Sequence, residues 1–453
     1  MGDNKLLYLV RICSIAALGG LLFGYDTAVI NGAIGLLEQH FALTPALKGW
    51  AASSALLGCV LGVAIAGTIC DRYGRKPALT AAGVFFLASA VGTALPETVG
   101  QLIFFRILAG VGVGIASMAA PMYIAEVSPA RFRGRLVAVN QLAIISGMLL
   151  IFFVNYFIAK QGNAEWRVTE SWRWMFASGI LPALLFLILL VFAPESPRWL
   201  VQRGREGEAR IILAAIGGTD FADMELQGMH GMSEQSLSSP IAAPRLRRVL
   251  FLGIALAVLQ QTTGINVFLY FGTEIFRKLG SSLDTALLET VAVGAANLLF
   301  TIAAIGLVDR VGRKRLMIVG SAGMGVCLVA MGRASETQPS PWWMLTYVLV
   351  YISCFALSVG PVTWVLLTEI FPTVVRARAL SVSTFALWTA NFIVSQTFPM
   401  MDESPLLLAH FHHAFPFYLY GSMCLVLLMV VWAFVPEMRN KSLEEIEAHW
   451  IKS

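Results

Sequence analysis

Asp71-Arg72-Tyr73-Gly74-Arg75-Lys76 and Asp309-Arg310-Val311-Gly312-Arg313-Lys314 are one pattern written twice, a charged tight turn around a glycine. Two further pairs keep step with it. Glu126 with Arg133 seven residues later returns as Glu369 with Arg376, and Pro194-Glu195 returns as Pro436-Glu437. The three separations fall between 238 and 243 residues, so the chain consists of two copies of one long unit.

What lies between these markers is strongly apolar. Hydrophobic residues make up 57% of the 453 and charged residues 13%, about half the roughly 25% of ordinary soluble domains. Uncharged windows such as 50–70 and 78–96 are long enough to cross the roughly 30 Å hydrocarbon core as helices. Apolar windows read against charged punctuation predict helices near 8–32, 48–70, 77–96, 101–125, 136–158 and 173–193. A second set is expected near 249–276, 285–308, 316–332, 342–368, 379–400 and 414–435. The predicted fold is therefore an all-α integral membrane protein with twelve transmembrane helices in two pseudo-symmetric six-helix bundles. Residues 1–195 form the first bundle, 196–248 a cytoplasmic linker with short helices, 249–436 the second bundle and 437–453 a short cytoplasmic tail. Two parallel repeats around a midplane site are transporter architecture.

Charge sets the orientation. Of the 32 Lys and Arg, 24 fall in the termini and the even-to-odd loops and 7 in the opposite loops, which places both termini in the cytoplasm. The net charge of +5 thus reports topology, and no nucleic-acid partner is expected. The six cysteines lie in or beside apolar spans without CxxC spacing and read as small hydrophobes. The first apolar stretch is too long for a cleaved signal and should remain as a helix. In the linker, 204–216 is amphipathic, whereas 217–244 is rich in Gly, Ser and Met and reads as flexible. Ser442 with Glu445 is a capping-box pattern for a short terminal helix.

The doubled turns supply a candidate latch on the cytoplasmic side. Its members are Asp71, Arg72, Arg75, Glu126, Arg133, Glu195 and Arg198 in the first half, with Asp309, Arg310, Arg313, Glu369, Arg376 and Glu437 in the second. The same charges also read as topology signals, since an isolated exposed pair contributes only about 0 to 1 kcal/mol. His410, His412 and His413 lie in a loop without a clearly spaced carboxylate partner, so no metal site is expected. No acid–base constellation or HExxH helix appears, and neither an enzyme nor a cofactor is expected.

The doubled motifs resemble the major facilitator superfamily, and further strings narrow the likeness to its sugar porter branch. They are PESPRWL at 194–200, QQTTGIN at 260–266, GPVTWVLLTEIFP at 360–372, VPEMRNKSLEE near the end and GGLLFGYDTAVI in the first span. Within that branch the sequence looks most like bacterial D-xylose:proton symporters. The resemblance implies import of a monosaccharide such as D-xylose or D-glucose across a bacterial cytoplasmic membrane by alternating access, with the sugar, the proton and the lipid bilayer as partners and a monomer as the working unit. It further implies that Gln141, Gln260, Gln261, Asn266, Asn297, Trp364 and Trp388 contact the sugar, with Phe23 and Tyr270 nearby. Their chemistry suits sugar recognition, because amides donate to and accept from hydroxyls and aromatic faces take the C–H side of the ring. The bland alternative is that Trp364 packs helices and Asn297 bonds between them. Gln260 and Gln261 are adjacent on a helix, so only one is expected to face a cavity fully. Leu387, Phe271 and Thr263 depart from the pattern, and Leu387 replaces an amide, which leaves the sugar open.

Asp26 and Arg106 lie inside apolar spans, where an ionised side chain costs at least ~2.5 to 3.5 kcal/mol. The family likeness brings them together as a proton-coupling pair, the acid taking a proton when its surroundings become wetter. A permanent structural pair in a sugar uniporter is the alternative.

Overall fold

The computed structural model describes residues 3–233, 244–337, 341–371 and 376–436, and the regular structure among them is entirely helical. Among the described residues, eleven helical stretches are long and apolar enough to cross a membrane. They include Lys5–Phe41, Val99–Val127, Arg247–Lys278 and Trp342–Ile370. One more helix, Arg376–Asp402, completes the expected set. Its 27 residues suffice to span a bilayer at about 1.5 Å per residue, but Ser381, Ser383, Thr389, Asn391, Ser395 and Gln396 make it the most polar of them.

Four spans read as continuous from hydropathy are interrupted, among them the sixth, which passes from Trp172–Ala177 to Ile180–Val191 across Ser178 and Gly179. The first passes from Asp3–Ala28 to Ile30–Phe41 at Val29, the seventh from Pro244–Thr262 to Ile265–Lys278, and the tenth from Pro341–Leu357 to Val359–Ile370. The breaks of the seventh and tenth spans have local causes, whereas Val29 keeps right-handed helical dihedrals, φ −55° and ψ −34°. Gly264 adopts φ +85°, a left-handed conformation that favours glycine, and a Cβ there would come within 2.5 Å of the Tyr420 ring. At the tenth span Pro361 cannot donate to the helical ladder. The freed backbone groups find side-chain partners: Asn155 Nδ2 donates to the Val29 carbonyl at 3.2 Å and Tyr351 Oη to the Thr263 carbonyl at 2.9 Å.

The chain divides into two compact units. The first comprises Met1–Thr27, Leu57–Leu150 and Phe176–Ser238; the second comprises Ala28–Leu56, Ile151–Met175 and Ser239–Ser453. In the first, Gly58 and Gly62 of one helix face Gly110 and Gly114 of another so closely that a Cβ on Gly58, Gly62 or Gly114 would strike backbone. This is the small-residue contact by which membrane helices gain dispersion energy without a hydrophobic drive. The linker helices Pro197–Gln202, Glu206–Gly217 and Thr219–Ser233 belong to the same unit. Trp199, Leu200 and Ala209 form their core, with Ile212 and Leu226 packed on it. The flexible reading of 217–244 is thus corrected over 219–233, where Leu226 has an apolar surface to bury. The capping-box segment at Ser442 and Glu445 lies outside the described residues.

In the second unit the half-helices Ile30–Phe41 and Ile265–Lys278 are fastened by one side chain. Asn31 Nδ2 donates to the carbonyls of Leu269 at 2.8 Å and Phe268 at 3.3 Å, while Oδ1 accepts from Thr273 N at 3.1 Å and Oγ1 at 2.5 Å. Asn31 is 1% exposed, and its full donor and acceptor capacity is used.

Candidate functional site

The first unit holds the intramembrane charges. Arg106, on Val99–Val127, is 1% exposed. Its Nη1 donates to the backbone carbonyl of Asp26 at 3.0 Å, while the carboxylate oxygen Oδ2 lies 3.9 Å away. The Phe176 ring lies 5.8 Å from its Cζ, a cation–π distance. Asp26 Oδ2 is buried and makes no hydrogen bond among the described residues. Two opposite charges are therefore neighbours, and one carboxylate oxygen of Asp26 is left without a donor among the described residues. Phe23 is partly buried in the same helix as Asp26, and Gln141 is exposed on Ala130–Ala159.

The second unit gathers the amides. Asn266 Nδ2 donates to Gln261 Oε1 at 2.6 Å, Gln261 Nε2 to Gln260 Oε1 at 3.3 Å, and Gln260 Nε2 to the carbonyls of Gly360 at 3.1 Å and Val359 at 3.3 Å. Adjacent glutamines do share one network, because their long side chains bridge the angle between neighbouring helical positions. The chain of amides also links the breaks of the seventh and tenth spans. Tyr270 follows Asn266 by one turn on Ile265–Lys278, and Trp364 follows Gly360 by one turn on Val359–Ile370. Trp364 is 38% exposed, whereas Asn297 and Trp388 are buried on their spans, as is Leu387 beside the latter. Phe271 and Thr263 are fully buried.

The repeated turn motif forms a carboxylate-centred cluster in the first unit. Arg75 Nη2 pairs with Glu126 Oε1 at 2.8 Å, and Ser196 Oγ donates to the other oxygen of Glu126 at 2.5 Å. Glu195 Oε1 accepts the backbone N–H groups of Arg75 at 3.0 Å and Ser196 at 2.7 Å, placing its charge on the N-terminus of Arg75–Ala94. A Cβ on Gly74, whose φ is +106°, would overlap the Glu195 carboxylate. Arg133 Nε donates to the Ala125 carbonyl at 3.0 Å. Asp71 contributes its backbone carbonyl, which accepts from Trp199 Nε1 and Arg203, and its carboxylate is 4.0 Å from Arg75. Arg72 is exposed and Arg198 partly buried. In the second unit Arg313 Nη2 pairs with Glu369 Oε1 at 3.1 Å, the repeat of Arg75 with Glu126. Arg310 is exposed, while Glu437 and the side chains of Asp309 and Arg376 lie outside the described residues.

A second charged cluster, at the opposite end of the second unit, was not read from the sequence. Lys48, its side chain 3% exposed, lies 2.5 Å from Glu38, 3.1 Å from Glu403 and 3.7 Å from Glu274. Lys278 pairs with Asp402 at 2.5 Å and Glu403 at 3.1 Å, Arg277 with Glu274 at 3.0 Å, and His413 Nδ1 is 3.0 Å from Asp402. Burial raises the Glu403 carboxyl, but Lys278 and Lys48 together hold it below the ordinary glutamate value. The signal available in the sequence was opposite charge at several span ends. Which of those ends meet is a property of the fold.

Comparison with known proteins places these features in a family. The profile described as "Sugar (and other) transporter" matches residues 12–450. The D-xylose-proton symporter of Escherichia coli (strain K12) is 44% identical over 470 residues, covering 98% of this chain and 96% of that one. The arabinose-proton symporter of Bacillus subtilis (strain 168) is 39% identical over 454 residues, covering 99% and 97%. The inward open structure of the xylose transporter XylE from E. coli superimposes with a TM-score of 0.87 at 42% identity, covering 98% of this chain and 100% of that one. The chain belongs to the sugar transporter family and is a multi-pass membrane protein.

Proposed function

We propose that this member of the sugar transporter family is a proton-coupled symporter that imports a monosaccharide, D-xylose, D-glucose or a related sugar, across the bacterial cytoplasmic membrane by alternating access. The observation that carries the coupling is the Asp26–Arg106 pair: both groups sit in apolar spans, 3.9 Å apart, and Asp26 Oδ2 makes no hydrogen bond among the described residues. A buried acid in that setting gains from protonation, and a cation beside it gains from ionisation, so small changes in hydration switch its state. Asp26 and Arg106 are the proton-coupling residues. Gln260, Gln261, Asn266, Tyr270, Asn297, Trp364 and Trp388 are the sugar contacts of the second unit, and Phe23 and Gln141 those of the first.

The turn cluster of Asp71, Arg72, Arg75, Glu126, Arg133, Glu195 and Arg198 acts as a cytoplasmic gate. Asp309, Arg310, Arg313, Glu369, Arg376 and Glu437 repeat it. Both termini are cytoplasmic, and the halves are 1–195 and 249–436, joined by the segment 196–248, with 437–453 as tail. The protein works as a monomer, without a cofactor, an enzymatic activity or a nucleic-acid partner.

Reconstitution into proteoliposomes tests this reading. Counterflow of labelled pentoses and hexoses identifies the sugar, and an imposed pH gradient then reports coupling. Accumulation above the equilibrium level is expected; equilibration alone under the same gradient means uniport, with Asp26 and Arg106 as a structural pair.

A further inference from the structure

One buried carboxyl group in the second unit stands, among the described residues, outside the ion pairs around it. Glu38 is 2.5 Å from Lys48, Glu274 3.0 Å from Arg277, Asp284 3.3 Å from Arg167, and Asp402 and Glu403 2.5 Å and 3.1 Å from Lys278. Glu289, inside the span Leu283–Val308, has no Lys, Arg or His at ion-pair distance among the described residues, although it is only 8% exposed. Ser281 Oγ donates to its Oε1 at 3.2 Å. Oε2 is buried and has no hydrogen-bond partner among the described residues.

Among the described residues, the helices packed most extensively against Leu283–Val311 offer no compensating charge. Pro341–Leu357 carries no Asp, Glu, Lys, Arg or His, and its Tyr351 hydroxyl donates to the Thr263 carbonyl. On Ile265–Lys278, Glu274, Arg277 and Lys278 are engaged in the pairs above. On Arg313–Thr337, Arg333 pairs with Glu336 at 3.6 Å, Lys314 Nζ donates to the Trp432 carbonyl at 2.8 Å, and Arg315 is exposed. Glu369 of Val359–Ile370 is taken by Arg313 at 3.1 Å. On its own helix Asp284 is held by Arg167 and Arg310 is exposed.

An ionised carboxylate at this place would leave its charge on an oxygen that no donor reaches, whereas the neutral acid leaves a single O–H unmet. We infer that Glu289 is a second proton-binding group, separate from Asp26, and that it carries a proton on Oε2 in this conformation, with Oε1 as the carbonyl oxygen that accepts from Ser281. The proton comes from water and returns to it; no other bond changes. Ser281 closes the turn after the half-helix Ile265–Lys278, its N–H donating to the Phe276 carbonyl at 3.1 Å. A shift of that half-helix therefore moves the hydroxyl that Glu289 holds, which ties occupancy of this proton to the position of the broken seventh span.

Infrared spectroscopy of the full chain in lipid reads protonated carboxyls through a C=O stretch that carboxylates lack. At neutral pH, wild type and Asp26→Asn are expected to share a carboxyl band that Glu289→Gln loses. Ser281→Ala should shift the same band to higher frequency, because the carbonyl oxygen loses its donor. An identical band in Glu289→Gln and wild type, or no band in wild type, overturns the assignment. Should Glu289→Gln fail to fold, Ser281→Ala decides alone, an unshifted band counting against the proton. None of these readouts requires sugar transport, so their failure leaves the symport reading untouched.

Discussion

Asp26 and Lys48 are both charges removed from water, yet their surroundings differ in kind. Lys48 is enclosed by three carboxylates, two of them within hydrogen-bond distance. Arg106 donates to the backbone of Asp26 at 3.0 Å, leaving the carboxylate Oδ2 3.9 Å away and without a hydrogen bond among the described residues. A saturated buried charge is expensive to disturb and behaves as a fastening. An unsaturated one lies close in energy to its protonated form and can change state during a cycle. The same distinction separates the two kinds of amide in the molecule, with Gln260 committed to carbonyls at a helix break and Gln141 exposed on its helix.

The sharpest break of this comparison is Asp26→Asn. Asparagine keeps the size of the protonated acid but cannot release a proton. Accumulation driven by a pH gradient is expected to vanish, while counterflow between equal sugar pools persists. For one proton per sugar, a gradient of about one pH unit sustains roughly tenfold accumulation in wild type. The mutant should show none, and retained accumulation in the purified mutant removes Asp26 from coupling. Loss of counterflow as well points instead to the structural pair.

Lys48→Met probes the fastening. It leaves Glu38 and Glu403 facing each other without their shared cation, and breaking a buried pair on one side costs ~3 to 5 kcal/mol. The unfolding temperature in detergent should fall clearly below that of wild type. A shift within experimental scatter means that the cluster is not a fastening.

These contrasts mark where sequence reading reached its limit. Hydropathy and loop charge reveal spans because burial in lipid demands about twenty apolar residues whatever the tertiary fold. The repeat likewise singled out Arg75, Glu126, Arg313 and Glu369 as charged positions, but that Arg75 meets Glu126 and Arg313 meets Glu369 is seen only in the fold. Helix breaks were missed because apolarity measures length, not continuity: Gly264 and Pro361 are ordinary residues of membrane helices until a left-handed φ or a lost donor fixes their effect. Asn31 and Lys48 were missed for another reason. The partners that tie them to other helices lie hundreds of residues away, at Thr273 and Glu403, although Glu38 is only ten residues from Lys48, and neither belongs to a motif that the other half repeats.

Gln141→Ala against Gln260→Ala extends the comparison to the sugar. On the proposed assignment, removing the exposed Gln141 amide should raise the Kd by about two- to thirteenfold, the value of one hydrogen bond of ~0.5 to 1.5 kcal/mol, and leave the unfolding temperature unchanged. Gln260→Ala strips the Val359 and Gly360 carbonyls of a donor, so stability should fall together with affinity. Binding titrations and thermal unfolding on the same preparations separate the two. An unchanged Kd in Gln141→Ala for every transported sugar removes that residue from the site.

The smallest expected effect belongs to the rim of the fastening. Glu403 sits between Lys48 and Lys278 at 3.1 Å from each, and the two lysines hold its carboxyl below the ordinary glutamate value despite burial that pushes the other way. A group whose folded value is depressed binds its proton more readily in the unfolded chain. Its contribution is therefore complete above the ordinary glutamate range, near about pH 4.3, and is lost as pH falls through the depressed value. The side chain is 22% exposed, and each lysine has a second carboxylate, so the contribution should stay below about 1 kcal/mol. Unfolding temperatures of wild type and Glu403→Gln, measured from neutral to acid pH, should differ slightly at neutrality and converge below the glutamate range. The gap should also narrow with salt, because the partly exposed edge of the cluster is screened while Lys48 is not. A gap that persists unchanged in strong acid would mean that glutamine disturbs packing, and that the lysines do not stabilise the Glu403 carboxylate.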